Sequence, residues 1–144
     1  MGCWRSRRGT RVATEEVVLV AAEHDVVLAR QNARKLAASL GFGVADQALI
    51  ATAVSEVARN IILYARRGEI RLSTVSGPNR QGIRIVAEDL GPGIADIELA
   101  MQDGYSTGGG LGLGLPGSRR LMDDFEIVST VGVGTRITLT KWLR

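Results

Sequence analysis

At 144 residues, 45% of them apolar, the chain is long enough to bury one core and too short for two domains of ordinary size. The net charge of +3 looks basic, but Arg5, Arg7, Arg8 and Arg11 less Glu15 and Glu16 supply +2 of it before residue 17, and two lysines and six scattered aromatics argue against a nucleic-acid-binding surface. A single cysteine, Cys3, excludes an internal disulfide and a cysteine-built zinc site and fits a reducing, cytoplasmic setting, and no window reaches the roughly 18 uninterrupted apolar residues of a membrane span.

Residues 1–16 read as a flexible basic tail, and the domain proper is expected over 17–144. The start, Met1-Gly2-Cys3-Trp4-Arg5-Ser6, matches an acylation pattern, but the match is short and the tail is the simpler reading. The apolar run Val17-Val18-Leu19-Val20-Ala21-Ala22 is consistent with a buried strand, which is expected over about 10–22. Asp25 stands where a helix N-cap would, and Val26, Ala29, Ala33, Leu36, Ala37 and Leu40 recur at spacings of three and four until Gly41. His24, the only histidine, is a boundary residue. A second helix, about 46–66, opens near Asp46 and is apolar around most of its surface. Strands at 68–76 and 82–88 follow, joined by a loop rich in turn residues. After a glycine-rich stretch come a helix from 115 to about 124 and a last hairpin, 125–131 and 135–143, around Gly132-Val133-Gly134. This order groups strands in hairpins and supplies too few βαβ units for a doubly wound sheet. The expected fold is α+β: a two-layer sandwich of a mostly antiparallel mixed sheet with helices on one face.

Chemistry concentrates between residues 88 and 117. The run Ile83-Arg84-Ile85-Val86-Ala87 delivers Asp89 to a tight turn, Leu90-Gly91-Pro92-Gly93. Gly108, Gly109, Gly110, Gly112 and Gly114 then precede a helix, so free backbone N–H groups gather at its N-terminus, which suits phosphate. Gly112-Leu113-Gly114-Leu115-Pro116-Gly117 also satisfies the dinucleotide fingerprint, but a polar loop rather than a strand precedes it. A Walker loop is excluded because no Gly-Lys-Ser/Thr is present. On the second helix Thr52, Glu56 and Asn60 recur every four residues and share one stripe. The stripe is read either as meeting a polar ligand, or as a plain structural feature: a solvated stripe, or a carboxylate, Glu56, paired with Arg59 or Arg30.

Glu56-x-x-x-Asn60, Asp89-x-Gly91-x-Gly93, the glycines from 108 to 114 and Gly132-x-Gly134-Thr135 resemble, in order and spacing, the four boxes of the GHKL (Bergerat) ATP-binding fold. Within that superfamily the body from about residue 17 resembles the small serine/threonine kinases of bacterial sigma-factor pathways, nearest the switch kinases of the stressosome. Only the first 16 or so residues depart from it. The resemblance implies a serine/threonine protein kinase dependent on ATP and Mg²⁺. By it, Asp89 accepts a proton of the adenine amino group, Thr135 bonds the same ring edge, and Gly91 and Gly93 let the backbone approach the base. Asn60 offers its side-chain oxygen to Mg²⁺. Thr107, Gly108, Gly109, Gly110, Leu111, Gly112, Leu113 and Gly114 surround the triphosphate, with 104–110 as a short lid. Glu56 is implied as the general base. The implied partners are STAS-domain proteins, antagonist and scaffold of a stressosome, and a PP2C-type phosphatase regulator activated on release, with no nucleic acid and no membrane. The alternative is an ATP-binding switch or anti-sigma factor that acts by contact alone. Some related kinases carry a basic lid residue, but 103–114 has none; Arg119 and Arg120 are nearest and read as surface charges. That leaves open which group besides Mg²⁺ neutralises the transferring phosphoryl charge.

Overall fold

The computed structural model describes residues 4–5, 11–94, 101 and 114–144. β1 (Trp4–Arg5) pairs antiparallel with β2 (Arg11–Val20). β2 alternates as a half-buried strand does, with Val18 and Val20 buried and Leu19 72% exposed. Its start at Arg11 agrees with the strand expected over about 10–22, and β3 (Gly68–Gly77) continues beside it as far as Ser76 and offers its backbone groups partners.

α1 (Glu23–Leu40) starts two residues before Asp25, which is therefore not its N-cap. Ala22 holds that position, and Asp25, three residues on, reaches back: its Oδ2 accepts the N–H groups of Ala21 (2.9 Å) and Ala22 (3.0 Å). Those donors, Ala21 foremost, hold the Asp25 carboxyl below its ordinary value against its partial desolvation. His24 is 84% exposed beside it, as a boundary residue should be.

α2 (Val44–Ala65) carries Asp46 in its first turn and buries Ile50, Ala53, Val54, Val57, Ala58 and Ile61. By length and hydropathy alone this helix could cross a bilayer, yet 56% of that window is buried inside the fold, as in a core helix. β3 and β4 (Arg80–Asp89) meet through two residues only, Pro78 and Asn79, because proline presets one turn dihedral and Asn79 takes the left-handed conformation at φ 66°. The polar residues expected in a longer loop are thus strand residues. α3 (Gly114–Leu121), β5 (Asp124–Thr130) and β6 (Gly134–Trp142) complete the chain.

The strand order is β1-β2-β3-β4-β6-β5, and every described pairing is antiparallel, so no parallel pair of a mixed sheet occurs among the described strands. Val20, Ile70, Leu72, Ile85, Ile137 and Leu139 form the sheet side of one core with the helices. The architecture is the α+β sandwich expected. Trp142 belongs with Val75 to a small separate cluster, where Arg80 lies 3.7 Å over its ring and Asp124 accepts its indole N–H at 3.0 Å. Asp123 fastens the chain end by accepting the Trp142 N–H (2.7 Å) and Arg144 (2.6 Å). Burial alone would raise its pKa; the Trp142 N–H, Arg144 and Lys141 outweigh burial and hold it low, so the folded chain keeps the ionised form.

Candidate functional site

β4 ends on Asp89, whose neighbours across the sheet are Gly68 on β3 and Thr135 on β6. The carboxylate is 6% exposed. Its Oδ1 accepts the Gly91 N–H at 2.9 Å, which fixes the orientation, and its Oδ2 has no hydrogen-bond partner among the described residues. An acceptor held this way, with one oxygen left over, is ready for an outside donor. The turn rests on the end of α2: a Cβ at Gly91 would come within 2.5 Å of the Ala65 Cβ and 2.9 Å of its Cα. One turn earlier, Ile61 lies against Gly68, at 2.9 Å from where a Cβ there would stand. Bare backbone at both points lets the helix approach the acidic strand end.

The same helix carries Glu56 and Asn60 on the neighbouring stripe. Both are buried, at 8% and 7% exposure, whereas Thr52 is exposed and donates its hydroxyl to the Ala48 carbonyl at 3.0 Å. The stripe therefore enters the fold at Glu56, and the solvated reading holds for Thr52 alone. Glu56 Oε1 lies 3.5 Å from Arg59 Nη1, so the ion pair weighed from the sequence does form, with Arg59. The Asn60 amide has no hydrogen bond with any described residue. No described side-chain nitrogen or oxygen sealed from solvent lacks a partner, so the Asn60 amide still reaches open space. A neutral amide oxygen of this kind suits Mg²⁺, which takes its remaining ligands from phosphate and water. Among the described residues no group of three His, Cys, Asp or Glu could hold a metal ion by itself.

The last hairpin clamps the acidic turn from the other side. The Gly132 N–H donates to the Pro92 carbonyl at 2.8 Å, and the Ile94 N–H donates to Ser129 Oγ at 2.7 Å. Ser129 Oγ also lies 2.8 Å from Thr135 Oγ1, the hydroxyl expected at the adenine edge. Gly134 passes so close to Asp89 that a Cβ would strike the Asp89 carbonyl oxygen, and its φ of 149° suits glycine. Gly93 lies against the Thr130 carbonyl. Asp89, Gly91, Gly93 and Thr135 thus form one cluster bound to α2, which bears Glu56 and Asn60.

Of the glycine-rich box, Gly114 opens α3, packed along α2. Thr107, Gly108, Gly109, Gly110, Leu111, Gly112 and Leu113 lie outside the described residues, as does the lid over 104–110. Arg119 and Arg120 are exposed, in keeping with surface charges. Sequence reasoning missed Ser129, although its register position opposite Thr135 follows from a hairpin turning at 131–133.

Residues 45–144 match the family described as Histidine kinase-, DNA gyrase B-, and HSP90-like ATPase. The serine/threonine-protein kinase RsbT of Bacillus subtilis (strain 168) is 53% identical over 130 residues, spanning 90% of this chain and 98% of that protein. The anti-sigma F factors of Caldanaerobacter subterraneus subsp. tengcongensis and Thermoanaerobacter sp. (strain X514) are each 34% identical over 121 residues, spanning 80% of this chain and 83% of theirs.

Proposed function

Since the chain belongs to the family of histidine kinase-, DNA gyrase B- and HSP90-like ATPases, we propose a kinase that phosphorylates STAS-domain proteins of a stressosome. Identity of 53% over nearly the whole of a serine/threonine-protein kinase makes it an ATP-using enzyme of that class. The finer reading is that γ-phosphoryl transfer to a serine or threonine of the STAS partner switches a sigma-factor pathway, and that the released chain activates a PP2C-type phosphatase in the cytoplasm. One observation supports it above the rest: two buried polar side chains, Glu56 and Asn60, stand one turn apart on the helix that rests on the Asp89 turn.

Each residue then has a task. Asp89, oriented by the Gly91 N–H, accepts from the adenine amino group through Oδ2, and Thr135, placed by Ser129, bonds the same edge. Asn60 is the residue that would hold Mg²⁺, and the ion would supply charge neutralisation for the transferring phosphoryl group. The Asn60 amide oxygen would be the ligand, and the backbone N–H groups that open α3 at Gly114 would face the phosphates. Glu56 takes the proton of the attacking hydroxyl.

The anti-sigma F relatives favour a second reading, in which the nucleotide-bound chain works by contact with a partner such as a sigma factor. Incubation with γ-labelled ATP, Mg²⁺ and STAS-domain proteins from the same source separates the two. Label on a serine or threonine of the partner is expected. Stable association with no label on the partner would leave only the contact reading, and label released solely as free phosphate would make the chain an ATPase.

A further inference from the structure

A cation bridges the buried carboxylate to the neighbouring helix. Arg59 lies three residues beyond Glu56 on α2 and one before Asn60. Its Nη1 is 3.5 Å from Glu56 Oε1, while its Nε and Nη2 each stand 3.4 Å from Oε1 of Glu23, in the first turn of α1. Side-chain exposure falls along this relay, from 66% at Glu23 through 39% at Arg59 to 8% at Glu56. These are ion-pair separations rather than short hydrogen bonds. The outer half alone, between two well-exposed groups, would contribute little. The inner half differs because Glu56 is nearly sealed, and a carboxylate taken out of water needs a compensating charge nearby.

We propose that Arg59, anchored at its outer end by Glu23, is a positioning residue for the phosphoryl-transfer step: it holds Oε1 of the Glu56 carboxylate in one orientation. This rests on Glu56 being the base. The fork geometry of the guanidinium suits the task, since its nitrogens can engage Glu23 and Glu56 together, which a lysine ammonium does less well. The relay also makes the N-terminal turn of α1 a support of the reacting group, a role its exposed acidic residue would not suggest by itself.

The test compares Arg59→Met, Arg59→Lys, Glu23→Gln and Glu56→Gln, reading phosphoryl transfer from γ-labelled Mg²⁺-ATP to the partner hydroxyl or to water, and ATP affinity separately. Arg59→Met should lower kcat on the order of 10- to 100-fold through misorientation of the base, with ATP affinity and KM for ATP held within about twofold. Arg59→Lys should recover part of the loss. Glu23→Gln, a surface change that keeps the fold even if Arg59→Met does not, should lower kcat about two- to fivefold with the same unchanged affinity. If both Arg59→Met and Glu23→Gln leave kcat at the wild-type value, or change ATP affinity instead, the relay is structural only and the proposal is overturned. Glu56→Gln separates this from a failure of its premise: full transfer in that variant removes the base itself, whereas loss there with normal Arg59→Met kinetics removes only the relay.

Discussion

Glu56→Gln should reduce phosphoryl transfer by about 10²- to 10⁴-fold while leaving ATP binding nearly unchanged. The substitution keeps the size of the side chain and its capacity to hydrogen-bond, and removes its negative charge, and with it the ion pair to Arg59, and its ability to accept a proton. Glu56 is not part of the Asp89, Gly91, Ser129 and Thr135 cluster, so nucleotide recognition there is untouched. Folding should also survive, since a neutral amide is easier to bury at 8% exposure than a carboxylate and Arg59 retains Glu23. Single-turnover transfer of labelled phosphate, alongside equilibrium binding of ATP, checks both halves. Wild-type transfer in this variant would show that another group activates the hydroxyl.

The largest expected loss of stability is at Gly134→Ala. Two effects combine. The backbone there sits at φ 149°, and the new methyl would collide with the Asp89 carbonyl and crowd the Leu90 Cα at 3.0 Å, both main-chain atoms that cannot swing aside. Backbone strain contributes about 1–3 kcal/mol and overpacking about another 1–3. The sum is a large share of the roughly 5–15 kcal/mol that holds a domain of this kind together. Gly132→Ala is the control: its φ of 81° is also left-handed, but nothing lies within 4 Å of the added methyl, so only strain of about 1–2 kcal/mol is expected. Urea denaturation of the two variants should give Gly134→Ala the larger drop in midpoint. Equal drops would mean that the hairpin does not press on the acidic turn.

Much of this was legible because the periodicities are strong. Val26, Ala29, Ala33 and Ala37 are all buried on α1, and the alternation around Ile83 and Ile85 delivers Asp89 where a strand should end. The boxes could be read in order because each needs a chemically narrow residue set, and glycines mark close approaches that no other residue allows. What was not legible depended on which elements meet. Asp25 is equally at home as an N-cap and three residues later, and only the path of Ala21 and Ala22 decides between them. The partner of Glu56 was one of two arginines until α1 brought Glu23 to the far side of Arg59. Ser129 carries no motif, and its place between Ile94 and Thr135 follows from the pairing of β5 with β6.

The central claim is that the buried carboxylate of Asp89 reads the base of the nucleotide, and calorimetric titration of ATP and GTP into wild type and Asp89→Asn tests it most directly. Because the Gly91 N–H occupies Oδ1, an asparagine must turn its NH₂ toward the ligand, where it opposes the adenine amino group and suits the guanine carbonyl. Wild type should prefer ATP, and Asp89→Asn should weaken ATP by about 10- to 100-fold while GTP holds or improves. ATP binding of wild-type strength in Asp89→Asn, with the preference over GTP intact, would contradict the account.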